Sequence, residues 1–230
     1  MTTSTSTTAS YRRLLTAGCL VATALLSAVS VLLQPDFGDS TEQRLALTDD
    51  AGRTAVVSVG AFVLAQLPFL GAVLGLGHLL RDRAPRLANI APTVAVVGGF
   101  GHAVFGGAML LGVTMAGLPG SREPYVEALD AFESSPALVF AAMGLLGTVL
   151  GILLLAAGLW RSQVGPRWVP LALVGFVVVE FAGTALTTWA SPVSAALYLI
   201  AFGALAATVR ATPEQVWDSG TVRPLVHTGA

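Results

Sequence analysis

Six apolar blocks, each close to the length of one bilayer crossing, constrain this chain more than anything else in it. They cover residues 14–33, 54–80, 87–115, 136–160, 168–186 and 192–210, and the only carboxylate inside any of them is Glu180. About 20 apolar residues in a helix span the ~30 Å hydrocarbon core. In lipid the backbone must satisfy its own hydrogen bonds, which leaves helices or closed barrels as spanning structures. The blocks are continuous rather than alternating, so the pattern predicts an all-α integral membrane bundle of six transmembrane helices. Composition agrees: 11% of the 230 residues are charged, against about 25% in soluble domains, and the mean hydropathy is +0.77.

The polar intervals between the blocks carry a charge asymmetry. Nine of the twelve arginines (Arg12, Arg13, Arg81, Arg83, Arg86, Arg161, Arg167, Arg210 and Arg223) fall on one side of a six-span arrangement, and Arg44, Arg53 and Arg122 on the other. The positive-inside rule puts the nine in the cytoplasm, hence both termini inside. Trp160, Trp168 and Trp189 fall where spans meet the interface, the depth such rings prefer. All twelve basic residues are arginine and none is lysine, which suggests a GC-rich bacterial genome and therefore the bacterial cytoplasmic membrane. Residues 1–13, rich in Ser and Thr, suggest a disordered cytoplasmic tail before the 14–210 membrane domain, and residues 211–230 a second tail. Residues 34–53 read as a polar loop. In the second acidic interval, Tyr125, Val126, Leu129 and Phe132 share one helical face, which predicts a short amphipathic helix lying on the membrane surface. Ser135-Pro136 and Ser191-Pro192 each read as a serine N-cap followed by a proline at the first helical position.

The basic turns RDRAPR (residues 81–86) and RSQVGPR (residues 161–167) join two hairpins that superpose when Pro85 is aligned with Pro166. That is the pattern of a weak parallel repeat. It sets Gly99 against Glu180 and Gly183 against His102, and so predicts close packing of the third span on the fifth.

Polar groups within the spans are costly and usually face the bundle interior. His102 lies sixteen residues beyond Arg86, Glu180 thirteen beyond Arg167, and Gln66 fifteen before Arg81. At ~1.5 Å of rise per residue, these depths are ~24, ~20 and ~22 Å. The shared depth makes Gln66, His102 and Glu180 the candidate membrane-core polar site, with His102 and Glu180 as a hydrogen-bonded pair. Gly98, Gly99, Gly106, Gly107 and Gly183 are the candidate helix-packing glycines, joined by Gly71 and Gly75 and by Gly147 and Gly151 as further small-xxx-small pairs.

No catalytic or metal-binding motif is present. A single cysteine, Cys19, excludes an internal disulfide. His78 lies only three residues before Arg81, ~20 Å shallower than His102, so the two cannot grip one haem, and His227 lies in the tail. No cofactor, metal or nucleic-acid partner is expected. The partners expected are the lipid bilayer and, through glycine-rich faces, a homo- or hetero-oligomeric neighbour. Three functions follow: small-solute or proton-coupled transport through the core site, a structural or assembly subunit, or a membrane redox or lipid-modifying enzyme.

Overall fold

A computed structural model of the chain describes residues 4–219, apart from Phe37 and Ala185. Among these residues every regular element is helical and no strand forms. The helices are α1 (Ser4–Leu33), α2 (Thr41–Ala51), α3 (Arg53–Leu80), α4 (Pro85–Ala116), α5 (Glu123–Glu133), α6 (Val139–Ser162), α7 (Trp168–Val178), α8 (Ala190–Ala211) and α9 (Glu214–Ser219). A 3₁₀ turn at Pro136–Leu138 leads into α6, and a π turn at Val179–Gly183 follows α7.

Five helical segments are long and apolar enough to cross a membrane: Thr8–Leu33, Arg53–Leu80, Pro85–Ala116, Pro136–Ser162 and Ala190–Ala211. Large apolar side chains crowd their outer surfaces, Leu67 being 76% exposed and Leu64 63%. Water would penalise such a surface, whereas lipid is its natural solvent. These are the marks of a membrane protein.

The fifth predicted block departs from expectation. In place of a helix through residue 186, α7 gives way to the π turn after eleven residues, and the apolar helix ends at Gly183. Its sixteen residues reach ~24 Å, short of the ~30 Å hydrocarbon thickness. The local cause is visible. Thr184 donates its hydroxyl to the Glu180 carbonyl at 2.6 Å, and its N–H bonds Val179 five residues back at 3.2 Å. This five-residue spacing replaces the α-helical register at the point where the polar residues begin.

Each long helix packs on its neighbours in the chain. α1 lies on α3, α3 on α4, α4 on α6, α6 on α7 and α7 on α8, while α8 returns to α1. The buried core includes Leu20, Phe69, Val73, Leu76, Leu80, Ile152, Leu155, Leu159, Leu173, Phe202 and Leu205. α4 therefore packs on α6 and α3, not on α7 as the hairpin alignment predicts.

Both ends of the bundle are tied by contacts distant in sequence. At the arginine-rich end Arg13 donates to the Thr212 carbonyl at 2.6 Å and pairs with Glu214 at 3.4 Å. Arg81 donates to the carbonyls of Trp217 and Asp218 at 2.9 and 3.0 Å, which draws α9 across the ends of α1 and α3. The tail expected after residue 210 is thus partly folded, and α1 takes in residues 4–13, where composition suggests a disordered segment. At the opposite end α2 occupies part of the interval expected to be loop. Ser40 caps it by accepting from Gln43 N at 3.2 Å, while the Gln43 side chain accepts from Asp39 N at 2.8 Å. The predicted amphipathic helix forms as α5 and docks on α2 through Thr41–Asp130, Arg44–Glu133 and Arg122–Asp49, at 2.6, 2.5 and 2.6 Å. Ser135 does cap its helix start, accepting from Ala137 N at 3.2 Å. Ser191 does not, because α8 begins at Ala190 and encloses it.

Candidate functional site

His102 sits on the face of α4 that meets α6, and glycine makes that meeting possible. Gly98 lies against the backbone of Gly147 and Thr148, Gly101 against Gly144, and Gly151 against Ala95. A Cβ on Gly98 would lie 2.6 Å from the Gly147 carbonyl carbon, and one on Gly151 would lie 2.6 Å from the Ala95 Cβ. The backbones approach so closely that a methyl group on either side has no room. The His102 ring folds over Gly144 and fills the space that a side chain there would take. Its Nδ1 shares a 3.2 Å hydrogen bond with the Thr148 hydroxyl, and its ring meets the Phe62 ring of α3 edge-on at 5.3 Å.

Gln66 is buried on α3 and donates its Nε2 to the Phe62 carbonyl at 2.9 Å. Phe62 is therefore the shared neighbour of Gln66 and His102, touching one with its carbonyl and the other with its ring. Glu180 belongs to a different sector. It is half-buried on the π turn, and the Ser194 hydroxyl of α8 donates to its Oε2 at 2.5 Å. That separation is typical of a hydroxyl bonded to a carboxylate. Ser194 is fully buried, and its hydroxyl also lies 2.9 Å from the Ser191 carbonyl, an alternative acceptor for its single proton.

The three predicted residues thus form two arrangements rather than one. His102 lies at the meeting of α3, α4 and α6 and Gln66 bonds back to its own helix at Phe62, while Glu180 bridges the π turn to α8. α6, packed on both α4 and α7, stands between them. The expected His102–Glu180 pair is replaced by His102–Thr148 and Glu180–Ser194, because α4 presents its histidine to the nearer helix. His102 does oppose a glycine as the alignment suggests, but that glycine is Gly144 of α6 and not Gly183.

The packing glycines divide similarly. Gly98 is covered by α6, and Gly99 and Gly106 by Phe69, Leu70, Phe62 and Val63 of α3. Gly107 has nothing within 4 Å, so it makes no close helix contact. Gly183 serves only the local turn, with Ala190 Cβ 3.2 Å from the place of its missing side chain. Gly71 meets Cys19, and Gly75 meets Thr16, which seats α1 on α3. Most of these glycines are spent within the chain.

Thr148 and Ser194 escaped the depth counting because it considered only ionisable and amide side chains. Thr148 is thirteen residues before Arg161 and Ser194 sixteen before Arg210, at depths of ~20 and ~24 Å. Extending the count to hydroxyls would have found both partners. His78 faces the arginine-rich end, where its Nε2 hydrogen-bonds the Trp217 carbonyl at 2.8 Å. His227 lies outside the described residues. Among the described residues no three metal-binding side chains converge. The chain matches no family model, no curated protein and no solved structure.

Proposed function

We propose that this is a six-span protein of the bacterial cytoplasmic membrane, with both termini inside, that carries out small-solute or proton-coupled transport at the Glu180–Ser194 site. The observation that carries the reading is a carboxylate in a membrane hairpin, hydrogen-bonded to a buried hydroxyl where the helix yields to a π turn. A carboxylate at such depth is costly to keep, π turns concentrate at functional positions, and a half-buried carboxyl can gain and lose a proton or coordinate a polar solute. His102 and Gln66 add a second polar cluster at similar depth.

Support for an even number of crossings comes from the termini. Arg13 in the first half of α1 contacts Thr212 and Glu214 just after α8, so the first part of α1 and the end of α8 share one side of the bundle. The short α7 and its π turn serve as the fifth crossing, and the arginine asymmetry places the shared side in the cytoplasm.

The test is proton flux in liposomes holding the purified protein and a trapped pH-sensitive dye. Wild-type protein is expected to dissipate an imposed pH gradient, Glu180→Gln to abolish the flux, and His102→Ala to retain at least half of it. Flux through Glu180→Gln equal to that of wild type would remove the proposal.

A further inference from the structure

The two basic turns of the bundle are not equivalent. In the first, Arg81 is engaged by Asp82 at 3.5 Å and by α9, and Arg83 donates to the Ser162 carbonyl at 3.4 Å, which leaves only Arg86 exposed without an ion-pair or hydrogen-bond partner among the described residues. In the second, among the described residues, Arg161 and Arg167 have neither an ion-pair nor a hydrogen-bond partner, and both are exposed. Gly165 of this turn packs on Thr208 of α8, two residues before the exposed Arg210, which also has no ion-pair or hydrogen-bond partner among the described residues. Between Glu133 and Asp218 the only carboxylates are Glu180 and Glu214, and Ser194 and Arg13 engage them. No ion pair among the described residues offsets Arg161, Arg167 or Arg210.

A cavity of about 210 Å³ opens here, lined by Trp160, Gln163, Gly165, Pro166, Arg167 and Pro170. Positive φ angles at Gln163 (54°) and Gly165 (76°) turn the chain around it. Its lining is mixed: an indole and two prolines together with an amide and a guanidinium. Trp160 and Trp168 flank it, 55% and 44% exposed, at the depth where aromatic belts mark the membrane–water boundary. Beyond Trp160 the exposed Leu146 and Leu150 continue an apolar flank along α6 toward the bilayer centre.

We propose that this turn binds the headgroup of an anionic phospholipid. Arg167 would take the phosphate through the paired N–H groups of its guanidinium, Arg161 and Arg210 would supply further positive potential, and the acyl chains would follow the flank of α6. The inference rests on the membrane reading above, because only a bilayer presents phosphate and acyl chain together at this depth.

The test is native mass spectrometry of the full chain in mild detergent. The protein is offered equal amounts of phosphatidylglycerol and phosphatidylcholine with identical acyl chains. Preferential retention of one phosphatidylglycerol is expected, weakened about fivefold by Arg167→Gln or Arg161→Gln and unchanged by Arg86→Gln at the first turn. Equal retention of the two lipids, or an equal loss in Arg86→Gln, would overturn the site in favour of diffuse surface charge. Displacement of the lipid by millimolar inorganic phosphate would also overturn it, as a site for a soluble anion. Flotation with phosphatidylcholine vesicles separates the two levels. Protein that floats without lipid preference refutes the headgroup site alone, and protein that does not float refutes the membrane reading beneath it.

Discussion

Gly98 and Gly107 lie on the same helix, look alike in sequence, and face opposite surroundings. A methyl group at Gly98 meets the backbone of Gly147 and Thr148, which cannot step aside, whereas one at Gly107 meets nothing within 4 Å. Gly98→Ala should therefore destabilise the bundle by about 1–3 kcal/mol. Gly107→Ala should leave it unchanged or raise stability by up to about 1 kcal/mol through the lost flexibility of glycine. Thermal unfolding of both variants in one detergent reads the difference, and shifts of the same sign and size would contradict the packing described. Ser194→Ala removes the hydroxyl that donates to the Glu180 carboxylate and is expected to cost about 0.5–2 kcal/mol in the same assay. The presence of packing glycines was legible from their spacing. Their partners were not, since Gly98 and Gly107 differ only in which way the helix is turned.

At the scale of elements, α2 and α9, two of the three segments that sequence reading left unstructured, owe their order to different causes. α2 carries its own signal, Ser40 and Gln43 at capping-box spacing, and composition alone concealed it. α9 carries none. Its six residues are too few to be helical alone, and they are held because Trp217 is 2% exposed against His78, with Arg81 on its carbonyl. Trp217→Ala is expected to release α9, so that trypsin cuts after Arg210 many times faster while the bundle's unfolding temperature stays within a few degrees. Unchanged cleavage would show that Trp217 does not hold the segment. Two of the α2–α5 contacts, Arg44–Glu133 and Arg122–Asp49, are largely exposed ion pairs worth about 0–1 kcal/mol each. Replacing Arg44 and Arg122 together by alanine should accordingly speed amide exchange in residues 41–51 and 123–133 without moving the global transition.

For the whole molecule, the sharpest question is which side each end of the bundle faces. With Cys19 replaced by serine, Ser121→Cys is expected to react with a membrane-impermeant maleimide on intact cells, and Asp82→Cys only after permeabilisation. Labelling of both from outside would exclude an even-span arrangement with its arginine-rich end in the cytoplasm. Closure of the molecule depends on α8 returning to α1, a contact between the last and first long helices that no local pattern announces.

Helical class, the positions of the long apolar segments and the depth of each polar residue are properties of the sequence alone. Backbone in lipid must bond to itself, and rise along a helix is a fixed ~1.5 Å per residue. Rotation about the helix axis is the missing coordinate. Each residue advances it by about 100°, and which face meets which neighbour is settled only when all the helices pack at once. Depth counting therefore groups Gln66, His102 and Glu180 by their distance along each helix, and it pairs His102 with Glu180 where the fold gives each another partner. Only the tertiary structure assigned His102 to Thr148 and Glu180 to Ser194, because close backbone approach at Gly144, Gly147 and Gly151 draws α4 onto α6.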